Sequence, residues 1–251
     1  MELSWFMLAL LTITGFIAGI INTLAGGGSN LTLPALMILG LPADVANATN
    51  RVGVFMQSLV GMRGFNQHGQ LPLYDLKGIL LPVLGGGLLG SGLASYLPPS
   101  LLKPVLLGTM ISMSVVILFR PSTVFPGPEE KSLTVKQSSG AWWILFAAGI
   151  YGGFVQAGVG FVLIAAIGGS LRYDLVKTNA LKMLCTAAFT SVALAVFIAR
   201  GQVAWLPGIV LAMATMVGAR VGVRLALRVS QRFMKWFLFL MTVAASLAAL
   251  L

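Results

Sequence analysis

Residues 15–52 read GFIAGIINTLAGGGSNLTLPALMILGLPADVANATNRV. A first apolar run, Leu3 to Ala25, ends in three successive glycines, Gly26 to Gly28. A second run, Leu31 to Leu41, is short, and a third, Ala43 to Gly64, opens on polar residues. A helix that spans a bilayer needs about 20 residues. The first run is long enough and the second is not. At membrane depth, irregular backbone is tolerated only inside the protein or along a water-filled cavity. The stretch therefore predicts a half-helix or re-entrant segment beside a glycine-rich break. Three glycines in a row exceed what close packing alone calls for, so the break is expected to line a ligand path.

Outward from this stretch, the whole chain of 251 residues has the same character. Apolar residues make up 58% and charged residues 9%, against about 25% charged in a soluble domain. A soluble globule, a disordered chain and a coiled coil are excluded. Cys185 is the only cysteine, which excludes a disulfide scaffold. One Cys and one His, His68, cannot close a metal site. No Ser/His or paired-Asp arrangement falls inside an apolar run, so no enzyme chemistry and no cofactor are expected. The net charge is +10. Its cations sit mostly at the ends of apolar runs, which points to positive-inside topology rather than nucleic acid. The N-terminus carries Glu2 and no basic region, so it reads as a retained first span. The expected class is an all-α, polytopic, multi-pass protein of the cell (inner) membrane.

Further runs are Gly78 to Leu97, Leu101 to Phe119, Ala141 to Gln156, a short Phe161 to Gly169, Val176 to Ala199, Val203 to Gly222 and Phe233 to Leu251. A polar stretch from Arg120 to Gly140 holds Glu129, Glu130, Lys131 and Lys136. This divides the chain into a first membrane repeat (1–120), a connecting loop (121–140) and a second repeat (141–251). Gly15 and Gly19 match Gly149 and Gly153 at an offset of 134, as Asn22 matches Gln156. Thr49-Asn50 matches Thr178-Asn179 at 129, and Gly69-Gln70 and Gly90 match Gly201-Gln202 and Gly222 at 132. Five runs per half invert the second copy. With both termini outside, thirteen of the 16 cations fall inside and only Arg51, Lys103 and Arg200 outside. The short runs leave the span count between eight and ten.

Inverted repeats with short, glycine-interrupted segments at matching places point to a transporter site. The candidate binding residues are Asn22, Gly26, Gly27, Gly28, Ser29 and Asn30 at the first break and Gln156, Gly158 and Gly160 at the second. Thr49, Asn50, Arg51, Gln57, Thr178, Asn179 and Lys182 come from the runs that follow. Hydroxyls, amides and backbone N–H groups donate to an oxyanion, and Arg or Lys adds charge. Arg51 and Lys182 read equally well as snorkelling to the interface. Asp44 and Asp174 read as helix caps. Gly15, Gly19, Gly149, Gly153, Gly218 and Gly222 read as close helix packing. All six carboxylates lie at run ends or in loops, so the site suits an anion, and any proton coupling travels on the substrate.

These residues carry a resemblance. The opening stretch, its partner GIYGGFVQAGVGFVLIAAIGGSLRYDLVKTNALK (149–182) and GQVAWLPGIVLAMATMVGARVGVRLALRVSQRFMKWF (201–237) resemble the TauE/SafE family of membrane permeases. The Gly26 to Pro34 segment and the Thr-Asn pairs are its more specific parts. The second break departs from the family pattern, with Gly158-Val159-Gly160-Phe161 in place of a fuller glycine cluster. The resemblance implies a secondary transporter of small sulfur-containing anions, such as sulfite and organosulfonates, moved mostly outward. Competing readings are an anion channel with the same lining and a non-transporting membrane scaffold or assembly factor. Expected partners are the small anion and the lipid bilayer. Glycine-rich faces leave a homo-oligomer open.

Overall fold

The computed structural model describes residues 5–98 and 132–228, together with 100–102, 104, 105 and 108. Its helices are α1 (Trp5–Leu24), α2 (Ser29–Ile38), α3 (Ala43–Gln67), α4 (Leu76–Tyr96), α5 (Ala141–Phe154), α6 (Val159–Ile164), α7 (Leu175–Ala199) and α8 (Trp205–Arg228). A π-helical turn, Ala165–Ser170, continues α6. There is no strand among the described residues. The apolar runs locate these helices to within a few residues. Most of the run at 101–119 and all of that at 233–251 lie outside the described residues.

Local chemistry explains the boundaries. Pro42 precedes α3 and fixes φ without needing a donor. Asp174 caps α7, its carboxylate accepting from the Lys177 N–H at 2.9 Å. Asp44 does not cap. It lies in the first turn of α3, where negative charge suits the helix dipole, and accepts from Gln202 at 3.4 Å. Helices α3 and α7 end alike, on a left-handed Gly69 and Gly201. The Gln70 N–H returns to the Phe65 carbonyl and the Gln202 N–H to that of Phe197, the Schellman closure.

The short helices do not cross the molecule. Met7, Leu10 and Leu11 at the start of α1 pack with Leu36, Leu39 and Leu41 at the end of α2. Helix α2 therefore returns to the end from which α1 came. In the same way Ala141, Leu145 and Ala148 of α5 pack with Leu163, Ala166 and Ile167 of α6 and its π-helical turn. Each pair is a re-entrant hairpin. The hairpins enter from opposite ends, because α3 and α7 are antiparallel. Thr49 near the start of α3 accepts from the Ala204 N–H beyond the end of α7, whereas Phe65 near the end of α3 packs with Leu175 at the start of α7. The first hairpin opens beside Ala46 of α3 and the second beside Tyr173, just before α7.

Helices α1, α4, α7 and α8 are long and apolar enough to cross a membrane. Helix α3 is as long as α7 but far more polar, and it is enclosed. Every residue from Ala46 to Val54 is buried, and α7 and α8 pack along it. Small residues make the remaining seams. A Cβ on Gly218 would strike the Phe16 carbonyl oxygen of α1, and one on Gly222 the Thr23 side chain. One on Gly86 would strike the Phe146 carbonyl oxygen of α5, and one on Gly90 that of Ile150. Gly15, Gly19, Gly149 and Gly153 abut the same seams from the other side. The packing reading of these glycines holds. It joins α1 to α8 and α4 to α5, so the halves interlock.

The seams and helix starts have a register of their own. Gly86 and Gly218 face Phe146 and Phe16, which stand 130 residues apart, as do the starts of α2 and α6 at Ser29 and Val159. That pairs Gly26 with Gln156, and both are left-handed, at φ +95° and +66°. Helices α3 and α7 start at Ala43 and Leu175, an offset of 132. Asn47 and Asn179 then take the same place in their helices, as do Asn50 and Lys182.

Candidate functional site

The two chain breaks meet. A Cβ on Gly26 would fall on the Gly160 Cα, and one on Gly160 on the Gly26 Cα. Gly26 is also left-handed, a conformation L residues adopt at a cost of about 1–2 kcal/mol. Gly27 faces the Phe161 ring and Gly28 abuts the Ala18 carbonyl oxygen of α1. Each of the three glycines thus answers a packing demand, and their number alone is no sign of a ligand. Gly158 is left-handed at φ +71°, and so is Gln156, a non-glycine held there by its surroundings. All of these backbone positions are buried.

Breaking two helices in the interior exposes carbonyls at the ends of α1 and α5, and buried cations take them up. Arg51 on α3 is 0% exposed and donates to the carbonyls of Gly152 at 2.9 Å, Gly153 at 2.6 Å and Phe154 at 3.3 Å. Asn47 also donates to Phe154, at 3.1 Å, and the Arg51 guanidinium lies 4.9 Å from the centre of the Phe197 ring. Lys182 on α7 is 1% exposed and donates to the Thr23 carbonyl at 3.0 Å and to the Asn179 amide oxygen at 2.6 Å. So α3 caps the hairpin of the second half and α7 that of the first. Neither cation snorkels, and Arg51 does not reach the outer end of the molecule. Arg51 lies about 12 Å along α3 and Lys182 about 10 Å along α7, at 1.5 Å per residue.

The far side of the first break is left electropositive. No described group accepts from the N–H groups of Gly27, Gly28 and Ser29, which begin α2. Beside them Asn50 accepts from Thr32 at 2.6 Å and donates to Ser29 at 3.1 Å. Gln156 donates to Thr190 at 3.1 Å. The Asn30, Asn47 and Gln156 amide oxygens and the Arg51 Nε are buried with no partner among the described residues. The described carboxylates, Asp44, Asp75 and Asp174, all flank helix starts at the two ends of the molecule. Two helix C-termini are thus neutralised by buried cations, while the α2 N-terminus keeps its donors without a built counter-charge. Such a centre suits an anion.

The remaining candidates are dispersed. Thr49 faces the start of α8 and Thr178 donates to the Tyr173 carbonyl at 3.1 Å, so both hydroxyls serve helix boundaries. Gln57 is buried farther along α3, and Asn22 lies against Gly28. Sequence reasoning missed Thr32 and Thr190 as members of the centre. A signal existed on α7, where Lys182, Thr186 and Thr190 recur every four residues in an otherwise apolar run.

The sequence pattern of the family described as Sulfite exporter TauE/SafE matches residues 11–249. The chain belongs to the TauE/SafE family. It is a transmembrane transporter of that family. Similar proteins include the "Probable membrane transporter protein YfcA" of Escherichia coli K12, 28% identical over 91% of this chain and 84% of the relative. Another is a "Probable membrane transporter protein" of Haemophilus influenzae, 26% identical over 90% and 88%. A third is "Probable membrane transporter protein ORF9" of Sinorhizobium sp, 25% identical over 99% and 94%.

Proposed function

We propose that this TauE/SafE member is a secondary transporter that carries small sulfur-containing anions, sulfite or organosulfonates, outward by alternating access. The observation that carries the reading is the electropositive centre, where the α2 N-terminus, Ser29 and Asn50 adjoin two breaks whose carbonyl ends are already capped. The family's description as sulfite exporters supports the substrate class. Residues 1–120 and 141–251 are read as inverted repeats, with Ser29 corresponding to Val159 and Asn50 to Lys182. The end bearing Arg63, Lys77, Lys136, Arg172 and Lys177 is read as the cytoplasmic one by the positive-inside rule, with the protein residing in the cell membrane.

Alternating access then moves bodies that do not follow the repeats. A rocking of one whole half against the other would pull apart the α1–α8 and α4–α5 seams, where glycines bring backbones together. The pairs that can move intact are α1 with α8 and α4 with α5. They would shift about α3 and α7, opening the paired breaks to one end and then the other.

Transport is tested in proteoliposomes with labelled sulfite and ethanesulfonate. The expected result is saturable flux that speeds up when unlabelled anion is loaded on the far side. Flux that rises linearly with concentration, without such acceleration, would favour a channel. Flux no faster than in protein-free vesicles would remove these substrates.

A further inference from the structure

The outward face of α8 carries a feature that transport does not use. Seven of its exposed residues form a stripe at intervals of three and four: Leu206, Ile209, Met213, Val217, Arg220, Arg224 and Arg228, with exposed Trp205 and Leu225 beside it. The first four are apolar and the last three are arginines. The arginines span about 12 Å of helix. No described carboxylate pairs with them. Asp174 is bridged to Lys177, Asp75 accepts from the Val135 N–H, and Asp44 lies at the opposite end beside Gln202. The end of α8 sits beside the end of α3 and the start of α7, where Val223 and Ala226 pack with Phe65 and Leu175. Arg63 and Lys77 belong to that same end but stand off the stripe.

We infer that this stripe binds an anionic phospholipid of the leaflet at that end, its acyl chains along Met213 and Val217 and its phosphate held by Arg220, Arg224 and Arg228. Positive-inside topology accounts for cations at this end. It does not call for three of them stacked turn on turn along one exposed stripe. Arginine's planar fork grips phosphate oxygens in pairs, and its long stem lets a residue below the headgroup reach the phosphate plane. Apolar surface for the chains and guanidinium for the headgroup lie in order along one face, which matches the chemistry of an acidic lipid.

The test is native mass spectrometry of the purified protein with phosphatidylglycerol and phosphatidylcholine, paired with thermal unfolding. The parent should retain phosphatidylglycerol selectively and gain thermal stability from it. Each Arg→Gln change at 220, 224 or 228 should weaken retention roughly fivefold, and R220Q/R224Q/R228Q together should abolish the selectivity. R63Q/K77Q, which removes two cations off the stripe, should leave it intact. Inorganic phosphate should not reproduce the stabilisation. Equal retention by parent and R224Q, equal loss in R63Q/K77Q, or full stabilisation by phosphate alone would each overturn the assignment. Should the triple variant fail to fold, R224Q alone decides.

Discussion

Arg51 and Lys182 are fully enclosed cations whose donors are aimed at helix-end carbonyls of the opposite half. Removing such a donor leaves buried carbonyls unpaired, which is worth more than the hydrogen bonds themselves. Arg51→Met is expected to destabilise by about 3 kcal/mol in thermal unfolding, at about 1.5–3 kcal/mol per charge-assisted bond. Arg51→Lys should recover only part of this, because an ammonium lacks the fork that reaches Gly152 and Gly153 together. If Arg51→Met unfolds like the parent, the capping role is wrong. Gly26→Ala meets both the left-handed φ and the Gly160 backbone and should cost about 3 kcal/mol or more. The roles of these residues were only partly legible in the sequence. Polarity and position marked Arg51, Lys182 and Gly26 to Gly28 as special. The Gly152, Thr23 and Gly160 backbone that Arg51, Lys182 and Gly26 meet lies on the far half of the chain, more than 100 residues away, and no local pattern encodes that.

At the scale of helices, the small-residue seams decide which elements move together. Gly90 and Gly92 lie two residues apart on α4 and separate packing from propensity. A Cβ at Gly90 would strike α5, whereas one at Gly92 meets nothing within 4 Å. Gly90→Ala should lower the melting temperature and Gly92→Ala should hold or raise it, since alanine is favoured by about 1 kcal/mol within a helix. Equal effects would argue against the seam. Helix boundaries were legible because a single apolar pattern governs each one. The correspondence between halves admits more than one register for a physical reason. The seam glycines recur every four residues, so sliding α5 by four still pairs Gly15 with Gly149 and Gly19 with Gly153. Asn47 and Asn50 are three apart, so a slip of three along α7 likewise keeps an Asn match. Periodic packing makes such slips invisible until the seams themselves are seen.

Across the whole molecule, two hairpins enter from opposite ends and their breaks abut in the interior, enclosed by α3 and α7. The short runs had marked these hairpins, since neither reaches the length of a span. That the hairpins return to their own ends was not encoded in run length, because a half-helix can fold back or continue. The central claim is that the paired breaks hold an anion beside Ser29. It is tested most directly with Ser29→Cys in a Cys185→Ser background, following the rate of modification by N-ethylmaleimide in membranes. Ethanesulfonate should slow the labelling in a saturable way, while choline at equal ionic strength should not. Labelling at one unchanging rate, whatever anion is present, would contradict the account.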